Sequence, residues 1–333
     1  MDIEDIPYVS VVVPLHNARV YVMDLICSLI NQSYPTQRYE VILVDDASTD
    51  GTFDFVRKNI ELADNFRLLS LNKKSGPAIA RNVGILAAKG EIVAFTDADC
   101  SPDKDWLKLL VAGFRGNEIG GVYGDVVTSK KEPIIYPIRV APVGPWIVTA
   151  NVAYRRSVLL SIGLFDGRFR ECYREDTDLA LRVMKAGFKI IHEPNARVYH
   201  PVKKLNLLQL VKMAFLHQYD VLLYSKHREK AKEALGTWLT KPFITFLSPS
   251  GLVFLMSIIL SILLPSVLPV LIVLLLLLVT TFFLIYGYKY VIYSKGAIPY
   301  RFRIKLMILN LVYLIVLLVA RIWGSIKFRC ILL

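Results

Sequence analysis

The sequence predicts an α/β fold with a mainly parallel central sheet, followed by a membrane-associated C-terminal region. Three observations carry this. Short apolar, β-branched runs alternate with segments of helical spacing over residues 9–114, the pattern of βαβ units. Three of the runs stop at polar clusters. A stretch of 47 uncharged residues, 242–288, interrupts a chain of 333 residues whose net charge is +12.

Val9 to Pro14 reads as the first strand, β-branched and closed by a proline, with His16 and Asn17 directly after it. A helical segment over 20–31 leads to the second run, Glu40 to Val44, which passes into Asp45-Asp46-Ala-Ser-Thr-Asp50-Gly-Thr. Asp50 is the stronger candidate to cap the next helix, 52–63, although Asp45 or Asp46 is an alternative. Phe66 to Leu71 is the third run, followed by helical spacing over 77–88. Glu91 to Thr96 is the fourth run and ends in Asp97-Ala98-Asp99; the last helical segment spans 103–114. Ligands of such sheets sit beyond the carboxyl ends of the strands, so the polar clusters converge on one edge. Two acids one residue apart offer oxygen ligands to a hard divalent ion that also holds a diphosphate. A solvated acidic turn is the alternative reading of that pair.

At this point the residues resemble a family. Val-Val-Val-Pro-Leu-His-Asn (11–17), Val-Asp-Asp-Ala-Ser-Thr-Asp-Gly-Thr (44–52), Gly76-Pro-Ala-Ile-Ala-Arg-Asn82 and Phe-Thr-Asp-Ala-Asp (95–99) are similar to the donor half of family 2 glycosyltransferases. So are Thr149-Ala-Asn-Val-Ala-Tyr-Arg-Arg156, Gly163-Leu-Phe-Asp166 and Arg174-Glu-Asp-Thr-Asp-Leu-Ala-Leu-Arg182. The resemblance implies a GT-A nucleotide-diphospho-sugar transferase domain over 1–202, a UDP-, GDP- or dTDP-linked donor, Mn2+ or Mg2+, and an inverting transfer. It implies metal ligation by Asp99, with Asp97 second or bridging through the donor ribose. Ala98, Asp45, Asp46, Arg81, Pro14, His16 and Asn17 then line the donor. Arg81 has a surface ion pair as its alternative.

By the same resemblance Asp176 is the general base and Glu175 places the base or the acceptor. Carboxylates at a helix start also suit its N-terminus electrostatically, which is the alternative for this cluster. Asp178 is expected to hold the local loop through Arg182. Asn151 is expected to contact donor sugar or acceptor, and Trp146 to stack on a sugar or pack beneath the proline-rich stretch 128–146. His200 completes the metal shell or is a loop histidine; imidazole suits manganese better than magnesium.

The remaining chain sets the location. One helix needs about 20 residues to cross a bilayer, so 242–288 predicts two spans, near 243–264 and 268–288, turning at Pro265 and Pro269. A buried hairpin is the alternative. A third segment, about 304–324, holds 15 uncharged residues between Lys305 and Arg321 and reads as a short span or an interfacial helix. The loop 289–305 carries five cations and no acid, so the positive-inside rule places it in the cytoplasm, and the catalytic domain with it. The acidic N-terminus shows no signal-peptide pattern. The region 203–241 is rich in Lys and Arg, and 205–223 interleaves cations with apolar residues. It predicts amphipathic helices at anionic lipid, or a helix packed on the catalytic domain.

These features together predict a multi-pass cell-membrane transferase acting once on a hydroxyl acceptor, a glycan or lipid-linked glycan at the cytoplasmic face. Cys100-Ser101 stands where polyprenyl-phosphate enzymes usually show Leu-Gln, and no Gln-x-x-Arg-Trp block of processive synthases lies in 200–242. A polyprenyl-phosphate glycosyltransferase remains the alternative within the class. An inactive sugar-nucleotide-binding membrane scaffold is the alternative outside it, and intact Asp97, Asp99 and Asp176 speak against it. A transporter is disfavoured by few spans and no intramembrane charge. Nucleic-acid binding is disfavoured because no matching motif accompanies the positive charge. Cys27, Cys100, Cys172 and Cys330 are scattered, which fits a reducing compartment.

Overall fold

The computed structural model describes residues 6–61, 63–127, 147–201, 207–228, 230, 316 and 319–330. The chain divides into two compact units, Met1–Lys204 and Leu205–Leu333. In the first, β1 (Val9–Leu15), α1 (Val22–Ile30), β2 (Tyr39–Asp45), α2 (Thr52–Ile60), β3 (Phe66–Ser70), α3 (Pro77–Ala87) and β4 (Ile92–Phe95) follow in order. Then come β5 (Ser101–Pro102), α4 (Trp106–Ala112), β6 (Ile119–Val127), β7 (Val152–Arg155), α5 (Arg156–Ser161), α6 (Glu175–Lys185) and β8 (Lys189–Tyr199).

The eight strands form one sheet in the order β3-β2-β1-β4-β7-β6-β8-β5. The first four are parallel, as the alternation of apolar runs and helices requires. The sheet as a whole is mixed, which corrects the expectation of a mainly parallel one. β7 runs antiparallel to both β4 and β6, and β5 antiparallel to β8. The sequence between β6 and β7 carries prolines rather than a crossover-helix pattern, and antiparallel neighbours need no crossover. The reversal matters for the site. Phe95 pairs with Val152, so the residues leading into β7 lie beside those leaving β4.

Side chains alternate along a strand, and β1 feeds a different core on each face. Val9, Val11, Val13 and Leu15 pack with Leu25, Ile26 and Leu29 of α1 and Trp106 of α4. Val12, with Ile42 and Val44, packs with Ile85 of α3 and Leu179 and Val183 of α6. These two layers fix the starts of α3 and α6 at the carboxyl edge of the parallel strands.

In the second unit, α7 (Leu207–Phe215) and α8 (Gln218–Lys226) form a pair, and residues 319–327 are helical. α8 is buried on every side, from Gln218 through Tyr224. The amphipathic pattern expected over 205–223 therefore does not describe α8 itself. The C-terminal helix covers part of it. Arg321 reaches Asp220 at 3.3 Å, Lys327 reaches Gln218 at 2.9 Å, and the rings of Tyr219 and Phe328 sit 6.1 Å apart. Gly324 permits the close approach, because a Cβ there would lie 2.6 Å from the carbonyl oxygen of Gln218. The outer side of that helix carries exposed Val319, Ile322, Trp323 and Ile326. Among the described residues no helix is long and apolar enough to cross a membrane. The spans expected near 243–264 and 268–288 lie outside the described residues, as do most of the third segment before 319 and the loop 289–305.

Candidate active site

The carboxyl edge of the parallel strands gathers the expected residues in different states. Asp45 and Asp46 end β2, and each is 3% exposed. Asp46 is fully engaged by backbone: its carboxylate accepts from the N–H groups of Ser75 at 2.6 Å and Gly76 at 2.8 Å. It ties β2 to the start of α3 through both of its oxygens. Gly76 makes that approach possible, with φ +93 and a Cβ position that would lie 2.3 Å from the carbonyl oxygen of Arg170. Asp45 Oδ2 accepts from Ser48 N–H at 3.0 Å, while its buried Oδ1 has no hydrogen-bond partner. A buried acceptor left unpaired is costly, so Asp45 is the member of the pair with capacity for a ligand.

The turn after β1 braces the loop after β2. His16 Nδ1 donates to the carbonyl of Asp46 at 2.8 Å. Asn17, at φ 51, accepts from Thr49 N–H and donates its own N–H to Ser48 Oγ. Asp50 accepts from Thr52 N–H at 3.0 Å, but the N-cap position of α2 is Gly51, so Asp50 sits one residue before the cap it was expected to fill. Pro14 is half-buried on β1 behind this loop.

Asp97, Ala98 and Asp99 follow β4. The fully buried Arg81 of α3 binds Asp97 at 2.8 Å and Glu175 at 3.0 Å. It is not a surface ion pair. Glu175 is 2% exposed, and its Oε2 has no partner. Burial, then the neighbouring Asp176 charge, push its carboxyl up to about 8, against the pull of Arg81. Asp176 is half-buried. Its carboxyl is also raised by burial, offset by the Thr177 N–H at 2.7 Å and by the charges of Arg81 and Arg174. Asp178 holds Arg182 at 2.9 Å, and Arg182 also donates to the carbonyl of Ile162. α6 starts after Arg174, whose backbone is left-handed at φ 75 and whose guanidinium lies over the Tyr173 ring.

His200 follows β8. Its Nδ1 lies 2.9 Å from the carbonyl of Pro201, an acceptor only, so Nδ1 carries the proton. In the neutral ring, Nε2 then presents its lone pair, 3.6 Å from Asp99 Oδ1. The pair offers one oxygen and one nitrogen ligand to a cation. Cys100 Sγ also lies within 4.8 Å of these atoms. Burial raises its thiol far above the usual range in the absence of a cation. An oxygen–imidazole donor set fits manganese better than magnesium.

Arg81, Asp97, Val148, Thr149, Ala150, Cys172, Glu175, Asp176 and His200 line one cleft of about 170 Å³. A larger hollow beside α2 and β3, lined by residues such as Asp54, Arg57 and Lys58, brings none of these groups together. The side-chain amide of Asn151, expected to contact sugar, is bonded elsewhere. It is fully buried, accepts from Trp106 Nε1–H at 2.8 Å, and donates to the carbonyls of Asp125 and Ala196. Its amide is spent fastening α4, β6 and β8. Cys172 lines the cleft without any sequence signal, since a lone cysteine carries none. Trp146 lies outside the described residues.

The comparisons with known proteins agree with this arrangement. Residues 10–171 match the family described as glycosyl transferase family 2, and residues 134–323, more than half of the chain, match glycosyl transferase family group 2. The chain belongs to the family 2 glycosyltransferases, with a GT-A-like α/β fold. It is 36% identical over 121 residues to the glycosyltransferase AglE of Haloferax volcanii, covering 36% of this chain and 40% of that one. It is 30% identical over 216 residues to the probable glycosyltransferase YdaM of Bacillus subtilis, covering 59% and 51%. The chain thus spans about half or less of the length of these relatives. In fold it resembles the mannosyltransferase PcManGT of Pyrobaculum calidifontis in complex with GDP-Man and Mn2+, at TM-score 0.64 and 22% identity, covering 97% of this chain and 89% of that one.

Proposed function

We propose that the protein transfers a sugar, with inversion, from a nucleotide-sugar donor to a hydroxyl acceptor. The observation that carries this reading is the shared cleft: Asp97 and Asp176 line the same space, with His200 and the adjoining Asp99 at its border. Inverting transfer needs a charge sink for the leaving diphosphate and a base for the acceptor hydroxyl, close together. Asp99 and His200, with Asp97 second, hold a divalent cation, which supplies Lewis-acid charge against the diphosphate when bound. Asp45 Oδ1 accepts from a hydroxyl or N–H of the nucleoside. Asp176 takes the proton from the acceptor oxygen. A carboxyl raised by burial is the better base near neutral pH.

The basic, apolar second half supports a membrane address, with the catalytic unit cytoplasmic and a lipid-linked glycan as the single-addition acceptor. The exposed row Val319, Ile322, Trp323 and Ile326 fits the interfacial reading of the third segment. The functional test uses the full chain in membranes with UDP-, GDP- and dTDP-sugars. Transfer should require manganese or magnesium. Asp176→Asn should keep donor binding and lose transfer by about a hundredfold or more; normal transfer by that variant refutes the base. Reporter fusions at residue 295 and at the C-terminus test the topology. A fusion at 295 reporting from outside the cytoplasm overturns the orientation.

A further inference from the structure

One buried cation serves two parts of the cleft. Arg81 gives Nη2 to Asp97, on the donor side, and Nη1 to Glu175, the residue before the base. It is 1% exposed, and a guanidinium stays charged under all conditions. The sharing leaves Glu175 short: only Oε1 is bonded, and Oε2 is buried without a partner. A carboxylate and a guanidinium form their strongest pair as a two-bond fork. The fork on Glu175 lacks one arm: Nη2, which would supply it, is drawn to Asp97, and Arg81 Nε is likewise buried without a partner.

We propose that Arg81 is a positioning residue that exchanges Asp97 for Glu175 when donor and cation occupy the cleft, closing the fork on Glu175 and fixing the turn that carries Asp176. The inference rests on the donor reading above. A divalent cation near Asp97 competes for its carboxylate and weakens its hold on Nη2. The released Nη2 then meets the unpaired Oε2. The turn it steadies is strained, since Arg174 holds a left-handed backbone immediately before Glu175, and strained segments respond to added contacts. The base is thereby set after the donor arrives, and the acceptor is engaged second.

The test uses the full chain with manganese and UDP or GDP as probes. Calorimetry reads nucleotide binding, and hydrogen exchange reads the backbone amides of residues 174–178 with and without nucleotide. In the native sequence, nucleotide with manganese should slow exchange there by about tenfold. Glu175→Gln keeps the shape but offers only one acceptor oxygen. It should abolish the slowing and weaken nucleotide–manganese binding about fivefold, because coupling is reciprocal. A purely structural role for Glu175 would change exchange equally with and without nucleotide. Arg81→Lys, a point charge without a fork, should also abolish the slowing; if that variant does not fold, Glu175→Gln carries the test. Unchanged slowing in Glu175→Gln, or none in the native chain with nucleotide bound, overturns the inference. A flat calorimetric titration of the native chain with both nucleotides instead overturns the donor reading, and the inference with it.

Discussion

The Glu175 carboxyl makes a prediction whose sign and size follow from its surroundings. It is 2% exposed, beside Asp176, and bonded only through Oε1 to Arg81. Burial and the Asp176 charge raise it from 4.5 to about 8. Below pH 4.5 the group is protonated both folded and unfolded, and its contribution to stability is fully present. As pH rises, the unfolded chain ionises first, so stability is lost progressively until the folded carboxyl also ionises near 8. At about 1.4 kcal/mol per pH unit, the loss between pH 4.5 and 7 is roughly 3 kcal/mol. Glutamine does not titrate, so Glu175→Gln removes this slope. The assay compares thermal unfolding of the full-length native chain and the variant from pH 4.5 to 8. Groups remote from Glu175 titrate equally in both and cancel in the difference; Asp176, whose charge acts on Glu175, is the one neighbour whose titration also changes. The native midpoint should fall relative to the variant by roughly 6–12 °C, at about 2–4 °C per kcal/mol. A constant difference across this range refutes the reasoning. A native midpoint that rises relative to the variant shows that Arg81 outweighs burial.

Four further outcomes are expected. The transfer rate should rise with pH along an acid limb above the ordinary carboxylate range, because burial raises Asp176; a limb with ordinary carboxylate values in the rate profile counts against that residue as base. Arg174→Gly should relax the left-handed backbone, worth about 1 kcal/mol in thermal stability, yet move the limb further up by removing a charge that lowers Asp176; Arg174→Lys should restore the limb, and a limb unmoved by glycine rejects the charge effect. His200→Gln should weaken manganese more than magnesium in metal titrations with nucleotide, since imidazole is the softer donor; equal losses exclude ligation. Asn151→Leu should cost about 3 kcal/mol, roughly one for each of its three hydrogen bonds, with an unchanged donor KM; native stability with a raised KM would return Asn151 to the donor site.

The parallel half of the fold is legible because each element declares itself locally. Val9 to Pro14, Glu40 to Val44 and Glu91 to Thr96 are apolar runs that stop at acids or a proline, and they became β1, β2 and β4. The reversal of β7 is not legible, since Val152–Arg155 is four residues long and its direction depends on pairing with both β4 and β6. In the site, adjacent acids were visible at 45–46, but their division of labour was not. Successive side chains at a strand end point to opposite sides, and which one meets Ser75 and Gly76 is set by a loop 30 residues on. Asn151 sits beside the site in sequence, yet its partners come from Trp106, Asp125 and Ala196, all remote. Arg81 read as a donor-binding cation, with a surface ion pair as its alternative. Its burial follows from α3 and α6 meeting over one core, a contact no local pattern encodes.

The chemistry of the cleft therefore depends on non-local balances more than on the acids themselves. Asp176 begins a helix, where the dipole favours its ionised form, and Thr177 N–H and two arginines act in the same direction. Burial acts against them and wins, so the carboxyl is raised. An exposed Asp at a helix start would be a weaker base, and a buried one without Arg81 and Arg174 would be raised further. The arginines bracket the useful range: Arg81 from beneath, through its shared hold on Glu175, and Arg174 from the turn before α6. The left-handed backbone at Arg174 immediately precedes Glu175 and Asp176, which both line the cleft, Glu175 as the more deeply buried of the two.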